Sequence, residues 1–423
     1  MVRLRDSKES HHLTISLFLW LSWYMGRGDG VREQCSVLSV QWSMRMISLG
    51  LGALLVGACS NNPVAPISAK PPLVVAGNAN ACALRADSVA VCWGATTKPA
   101  APWIVSTTLK FVAVTSATRF GCGLTAAGAA YCWGINDRGQ LGDGTNTSSS
   151  DPVAVTGSHS FSAIASGGDH SCALDRSGTA WCWGANEFGQ LGIAGAGTVV
   201  ASTSTPAAVS GSFAQISAGS SHTCATDVDG LAWCWGHNAA GQLGDGTLFD
   251  HSSPARVTGS TRFASLSAGF FVTCGVATSH AAFCWGGLAP NMIGNGQSGG
   301  VKTPSPVSGG IAFASVSAAG AHVCGLALDG AAWCWGNNGF GQLGVDGGTP
   351  HSLPIRAAGS LRFTSLSAGP YDYSDETHNS GTSGHTCGVT TSGAVYCWGD
   401  NITGQLGAPT PTQSSAPVLV KIP

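Results

Sequence analysis

A Cys-Trp-Gly tripeptide occurs seven times in this chain, and each copy has a second Cys ten positions before its own Cys. Successive copies are separated by 40, 50, 52, 50, 50 and 63 residues. A unit of about fifty residues cannot bury its apolar faces alone, so the units must stack on one another. The tripeptides begin at Cys92, Cys132, Cys182, Cys234, Cys284, Cys334 and Cys397.

Each repeat unit contains four short runs with the composition of β-strands. In the fourth unit they are residues 213–218, 222–226, 231–235 and 255–258. Four strands per unit are typical of a propeller blade, so we predict an all-β, seven-bladed β-propeller. The array opens at 73–76 with a run that resembles the first strand of the other units, and it closes at 417–420 with a run that resembles their fourth strand. We therefore expect the C-terminal strand to complete and close the first blade.

The repeated motifs are His-Thr-Cys-Ala, Trp-Cys-Trp-Gly, Asn-x-x-Gly-Gln-Leu-Gly and Asp-Gly-Thr, with good copies at 222–247 and 322–344. They resemble the repeat of the regulator of chromosome condensation (RCC1) family. The resemblance covers residues 73–423 and implies a seven-bladed propeller. The first unit lacks Gly-Gln-Leu-Gly, and the fifth has Gly294-Asn295-Gly296-Gln297 in its place.

The two cysteines of a unit lie symmetrically about a short turn. Pairing Cys172 with Cys182 leaves residues 176–178 as a three-residue hairpin loop, which usually ends in a left-handed Gly. Five units have Gly there, whereas Ser88 and His280 fill the slot under some strain. The paired cysteines then lie at a non-hydrogen-bonded position, where Cβ atoms approach most closely. We predict the disulfides Cys82–Cys92, Cys122–Cys132, Cys172–Cys182, Cys224–Cys234, Cys274–Cys284, Cys324–Cys334 and Cys387–Cys397.

A metal site is the rival interpretation of these cysteines. Their spacing is not that of zinc knuckles, and the only further ligands at hand are His170, His222, His322 and His385, each two residues before a Cys. We favour these histidines as hydrogen-bonded groups between blades, and we expect no metal and no cofactor. The tryptophan pairs, such as Trp181 and Trp183, suit packing between blades, with a sugar-stacking platform as the alternative.

The N-terminal region has the features of an export signal. Residues 1–58 form a signal region: 44–58 end in Val56-Gly57-Ala58 before Cys59, which resembles a bacterial lipoprotein signal and implies lipidation of Cys59. A plain secretory signal is the alternative. Residues 1–43 fit neither, and we infer that translation starts at Met44. Residues 59–72 are expected to be a flexible tether, followed by the propeller at 73–423.

The seventh unit carries the longest insertion, at residues 370–383. If successive strands reverse direction, this insertion lies on the same face as the Gly-Gln-Leu-Gly loops. Its acidic and aromatic residues are candidate binding residues because loops on rigid scaffolds often carry recognition. A solvated insertion without a role and a calcium site are the alternatives. The candidates are Tyr371, Asp372, Tyr373, Asp375 and Glu376.

Composition and motifs limit the function. The formal net charge is −2, which offers no surplus of cations for nucleic acid. No metalloprotease or phosphate-binding motif is present. We expect a monomeric, exported, lipid-anchored module in the periplasm or on the cell surface, which binds an envelope or extracellular protein or glycan without catalysis. An extracytoplasmic hydrolase or lyase acting on polysaccharide or peptide is the alternative, and a purely structural envelope component is a third.

The resembling family includes a nuclear exchange factor for a small GTPase and secreted bacterial propellers that inhibit enzymes. An export signal and disulfides argue against a cytosolic GTPase as partner. We therefore do not expect exchange activity here.

Overall fold

The structure is a computed structural model, and it describes residues 73–77, 80–94, 101–193, 201–288, 290–369, 384–409 and 411–423. Its elements are β-strands in seven four-stranded antiparallel sheets. Each sheet is one repeat unit, with its strands paired in chain order. The predicted all-β, seven-bladed β-propeller is therefore confirmed. Among the described residues, no helix is long and apolar enough to cross a membrane.

The blades follow the chain from N- to C-terminus. Blade 1 is β1 (Leu73–Ala76), β2 (Asn80–Leu84), β3 (Ala90–Gly94) and β4 (Trp103–Ile104); blade 2 is β5 (Phe111–Ser116), β6 (Phe120–Thr125), β7 (Ala130–Gly134) and β8 (Ser149–Ala154); blade 3 is β9 (Phe161–Ser166), β10 (His170–Asp175), β11 (Ala180–Ala185) and β12 (Ser202–Val209); blade 4 is β13 (Gln215–Ala218), β14 (His222–Thr226), β15 (Ala232–Gly236) and β16 (His251–Arg256).

Blade 5 is β17 (Phe263–Ala268), β18 (Val272–Ala277), β19 (Ala282–Gly286) and β20 (Val301–Pro306); blade 6 is β21 (Phe313–Ala318), β22 (His322–Ala327), β23 (Ala332–Gly336) and β24 (His351–Arg356); blade 7 is β25 (Phe363–Gly369), β26 (His385–Thr390), β27 (Val395–Asp400) and β28 (Gln413–Leu419). The first strand of every blade lines a central channel. The second and third strands form the disulfide-linked hairpin, and the fourth strand is the outer edge.

The expectation that the C-terminal strand closes the first blade is wrong. Strand β28 pairs with β27 in the last blade, where Val418 lies opposite Cys397. Blade 1 has its own fourth strand, β4, in which Ile104 pairs with Val91 and Trp103 pairs with Cys92. This strand is only two residues long and follows a loop without Gly-Gln-Leu-Gly, so the repeat pattern does not reveal it.

Side chains and close backbone packing, rather than a shared sheet, join blade 7 to blade 1. The Ala76 amide donates to the Ser367 hydroxyl at 2.9 Å. The Trp93 indole Nε1 donates to the Gln405 carbonyl, also at 2.9 Å. The same two bonds recur between other blades, for example from Ala318 to Ser267 and from Trp285 to the carbonyl of Gln242. The ring therefore closes with the same contacts that repeat around it.

The core consists of interfaces between neighbouring blades. The second Trp of the repeated Trp-Cys-Trp-Gly motif is buried, and its apolar cluster combines residues of two blades. For example, Trp183 of blade 3 packs with Phe120, Leu141 and Phe161, which come from blades 2 and 3. The predicted packing role is confirmed for Trp183, and the half-buried Trp181 packs against the same cluster while its indole N–H donates to Asp175 at 3.0 Å.

Outer strands carry prolines, including Pro152, Pro254, Pro354 and Pro417. Proline has no amide proton to donate, so it is tolerated at a sheet edge and discourages pairing with another chain. The propeller therefore presents protected edges at its circumference and leaves its two circular faces for recognition.

Candidate functional site

Every predicted cysteine pair is a disulfide in the structure. The two cysteines lie directly opposite each other on the hairpin strands, as Cys172 and Cys182 do on β10 and β11. Their Cα atoms are 4.0–4.1 Å apart in the seven bonds. The hairpin loops also follow the prediction, because Ser88 and His280 have φ of 66° and 67° where other units place Gly. Seven disulfides indicate an oxidising, extracytoplasmic environment.

Three of the four repeat histidines bridge neighbouring blades, as predicted. The Nε2 atom of His170 lies 2.9 Å from the hydroxyl of Thr223 in the next blade. That hydroxyl donates its single proton to the carbonyl of Gln190 at 2.8 Å. His170 must therefore be the donor to Thr223, which defines a neutral ring with its proton on Nε2.

The same relay recurs twice more. His222 bonds to Thr273, which donates to Gln242, and His322 bonds to Thr386, which donates to Gln342. Burial lowers the pKa of His170 to about 4 and, together with a nearby histidine, the pKa of His222 and His322 to about 3. Neutral, fully buried imidazoles that bond to a threonine of the next blade are structural groups between blades.

The fourth histidine, His385, faces blade 1, where Ala81 occupies the position of the threonine. Its ring nitrogens have no side-chain hydrogen-bond partner. Burial lowers its pKa to about 4, partly opposed by a backbone group of Asn80. The bridge to a threonine side chain is therefore present at three histidines and absent at this one. The described residues contain no group of three or more His, Cys, Asp or Glu that could hold a metal ion.

The central channel has a volume of about 320 Å³ and is lined by the innermost strands of all blades. Small, hydroxyl and aliphatic side chains line it, and no described lining residue is ionisable. Several of its serines, such as Ser217, accept a backbone N–H from the next blade. The described channel wall therefore offers hydrogen-bonding groups but no acid or base for proton transfer.

The two circular faces of the ring differ. One face, which we call the loop face, carries the connections between first and second strands and the Asn-x-x-Gly-Gln-Leu-Gly loops. These two kinds of connection meet there, since Gln140 in the blade 2 loop donates to Asp169 in blade 3 at 3.4 Å. The opposite face, the turn face, carries the hairpin turns. The predicted grouping of loops is thus observed.

A charged cluster lies on the loop face at blades 2 and 3. We define it as Arg119, Asp137, Arg138, Asp169 and Glu187. The Arg119 guanidinium lies 3.5 Å from Asp137 and 3.8 Å from Asp169, and Arg138 lies 2.8 Å from Glu187. Burial raises the pKa of Asp169, although Arg119 opposes the shift. The cluster is notable because only 9% of the chain is charged.

An aromatic arc continues from the charged cluster across blades 3 to 5. It consists of Phe188, His237, Phe270 and Phe271. The ring centroids of Phe188 and His237 are 4.5 Å apart, those of His237 and Phe271 are 6.1 Å apart, and those of Phe270 and Phe271 are 4.4 Å apart. Phe188 is 41% exposed, and Phe270 lines the channel mouth. Sequence reasoning missed both features, because their residues are distant in the chain.

The residues proposed from the sequence for binding lie outside the described residues. These are Cys59, the candidate lipidation site, and Tyr371, Asp372, Tyr373, Asp375 and Glu376. The described residues that flank the insertion are Gly369 at the end of β25 and Gly384 just before β26. The insertion therefore connects a first strand to a second strand of blade 7.

Sequence profiles of the "Regulator of chromosome condensation (RCC1) repeat" match this chain in two sets. One matches residues 127–174, 177–226, 229–276 and 329–371. The other matches 161–190, 213–242, 313–342 and 380–405. Together they cover more than half of the chain, and the chain belongs to the RCC1-repeat family. No curated protein sequence matches it significantly.

Solved structures share the fold at low sequence identity. Human WBSCR16 has a TM-score of 0.67 at 18% identity, covering 78% of this chain and 89% of its own. Prp20p from Saccharomyces cerevisiae, whose structure was described with its binding to Gsp1p and histones, has 0.66 at 18%, covering 84% and 87%. The ectodomain of the Arabidopsis thaliana receptor kinase ACR4 has 0.51 at 20%, covering 81% and 98%. These likenesses concern the fold alone.

Proposed function

We propose that this propeller is an exported recognition module that binds an extracytoplasmic protein or glycan through its loop face and has no catalytic role. In this proposal Cys59 is lipidated and holds the module to a membrane in the periplasm or on the cell surface. Tyr371, Asp372, Tyr373, Asp375 and Glu376 extend the binding face at blade 7. The module acts as a monomer and needs no cofactor.

The observation that carries the proposal is where the repeat units differ. The buried Trp that joins blades recurs in all seven units, and the relay of His, Thr and Gln recurs at three interfaces. The position just before the second strand, in contrast, is Arg119, Asp169, Ser221, Phe271 and Ala321 in blades 2 to 6. The uniform Trp helps to build the ring, whereas this varied position lies on the loop face and is partly exposed in blades 2 to 5, which supports a recognition role.

Strand direction supports the orientation. Each blade has four alternating strands, so a first strand begins on the turn face and a fourth strand ends there. The chain therefore enters β1 at Leu73 from the turn face. In the proposal, the chain that follows the lipidated Cys59 reaches the propeller at its turn face and leaves the loop face free for a partner. The short tether of fourteen residues, 59–72, could span at most about 50 Å when extended.

Recognition is favoured over hydrolysis by the ion pairs that the carboxylates form. Glycoside hydrolysis commonly requires one protonated and one ionised carboxyl group flanking a cleft. In the charged cluster, Asp137 and Asp169 share Arg119 and Gln140, and Glu187 is paired with Arg138. Carboxylates held in this way are suited to shaping a binding surface.

Affinity capture from an envelope extract tests the proposal. The bait is the 60–423 fragment, exported so that its disulfides form, and the comparison is the same fragment lacking 370–383. We expect the bait to retain a specific partner and the deletion to reduce the retained amount strongly. Unchanged capture after the deletion would remove the insertion from the binding face. The absence of any specific protein or glycan partner would refute the recognition role.

A further inference from the structure

The rings of the aromatic arc are tilted against one another and do not form a flat platform. Neighbouring rings are tilted by 52° between Phe188 and His237, by 58° between His237 and Phe271, and by 72° between Phe271 and Phe270. Stacking of extended sugar chains needs broad ring faces that are open in one plane. Tilted rings in contact instead present an uneven apolar edge, against which a single apolar side chain packs more closely than a chain of sugars, which favours a peptide as the occupant.

The loop that carries Phe188 is rigid, and its rigidity does not depend on the aromatic ring. The Phe188 amide donates to the side-chain carbonyl of Gln190 at 2.9 Å, and the Leu191 amide donates to Asn186 at 3.0 Å. A side chain that is 41% exposed on such a fixed loop buries additional surface on binding with little loss of conformational freedom. Phe188 is therefore placed as an anchor.

The charges beside the arc have a preferred complement. Glu187 directly precedes Phe188, and its charge contributes to the raised pKa of Asp169 in the same blade. The charged cluster holds three carboxylates but only two guanidinium groups. Asp137 and Asp169 share the guanidinium of Arg119. A cationic group brought to this edge of the arc would supply the missing positive charge. It could also lie over the exposed ring of Phe188.

We propose that the aromatic arc binds a peptide segment of a partner protein that presents an apolar side chain next to a lysine or arginine. The apolar side chain packs on the exposed ring of Phe188 beside His237, and the cation faces Glu187 and Asp169. This inference rests on the proposed recognition role and names the class of partner and its contact residues.

A displayed library of random peptides, selected on the full disulfide-bonded propeller, tests this inference. We expect enriched peptides to combine an aromatic, leucine or methionine residue with a basic neighbour. Phe188→Ala should weaken a selected peptide by about tenfold or more. Phe249→Ala is the matched control, because Phe249 is 76% exposed at the rim of blade 4 but lies outside the arc. Glu187→Gln should weaken binding less than Phe188→Ala does, and its effect on affinity should be larger at low salt than at high salt.

Each outcome decides the inference. Peptides with acidic flanks, equal affinity of the Phe188→Ala and Phe249→Ala proteins, or no enrichment at all would overturn it. Thermal unfolding of both variants should match the wild type, so that lost binding reflects the surface and not the fold. If the wild-type bait captures an envelope partner and Phe188→Ala captures it equally well, the recognition role stands and the arc is not its site.

Discussion

The relays of buried histidines predict that stability falls in mild acid. The test replaces one relay by the apolar pair that the chain itself uses at the interface of blades 5 and 6. There, Val272 occupies the histidine position and Val323 the threonine position, and both are fully buried. The double variant His222→Val with Thr273→Val copies that pair. The carbonyl of Gln242 keeps a donor, because Trp285 also bonds to it at 3.0 Å.

The magnitude follows from the difference in proton binding. Burial lowers the pKa of His222 from 6.5 to about 3. Between these values the unfolded chain binds a proton that the folded protein excludes, so stability is complete above pH 6.5 and declines as the pH falls toward 3. At pH 4.5, two pH units below 6.5, one such histidine costs about 2.7 kcal/mol of unfolding free energy.

Urea unfolding at pH 7 and pH 4.5, with disulfides intact, measures this effect. The wild type should lose about 2.7 kcal/mol more than the double variant between the two pH values. Thr273→Val alone is the control, because it leaves the buried Nε2–H of His222 unpaired. It should cost about 1–3 kcal/mol at pH 7 and keep the acid sensitivity. Equal acid losses in the wild type and the double variant would refute the reasoning.

Three further predictions concern the ring. Replacing Cys274 and Cys284 by Ala should lower the unfolding free energy by about 3 kcal/mol, measured in urea, because the unfolded hairpin is no longer closed. Gly244→Ala should cost about 3 kcal/mol and Gly259→Ala about 1 kcal/mol; both have positive φ, but only the first places a methyl group against an indole. Ser367→Ala, which removes an acceptor at the closing interface, should cost about 1 kcal/mol in thermal unfolding.

Matched comparisons make these outcomes decisive. Thiol labelling of the native protein without reductant should find none of the fourteen propeller cysteines free. A substantial free fraction would contradict the inferred oxidising, extracytoplasmic environment. Equal costs for the two glycine variants would mean that the contact with Trp285 is unimportant. Ser267→Ala removes the equivalent bond between blades 5 and 6, so a much larger loss for Ser367→Ala would show that the closing interface is weaker than the rest.

Most of the fold could be predicted because its determinants are local. The distance of ten residues between Cys172 and Cys182 fixes one hairpin, its turn and its disulfide together. Ring closure was predicted wrongly because it depends on β4, whose two residues carry no repeat signature. The pairing of Trp103 with Cys92 becomes evident only in three dimensions.

The partners of the histidines and the proposed recognition surface could not be predicted from the sequence for a related reason. His170 and Thr223 are separated by 53 residues, and nothing local connects them. The charged cluster and the aromatic arc likewise join residues from different blades. A usable signal existed, because aligning the units shows Arg119, Asp169 and Phe271 at one equivalent position. Their nearness in space depends on the arrangement of blades, which spacing does not give.

The pairing of each Cys with the next one along the chain matters for how the protein is made. Fourteen cysteines can be joined in about 135,000 ways, so random oxidation of a finished chain would rarely succeed. Here each partner follows after ten residues, and a hairpin can be oxidised as soon as it emerges on the oxidising side of a membrane. Synthesis from the N-terminus would then lock blades in order, and we expect little need for a disulfide isomerase.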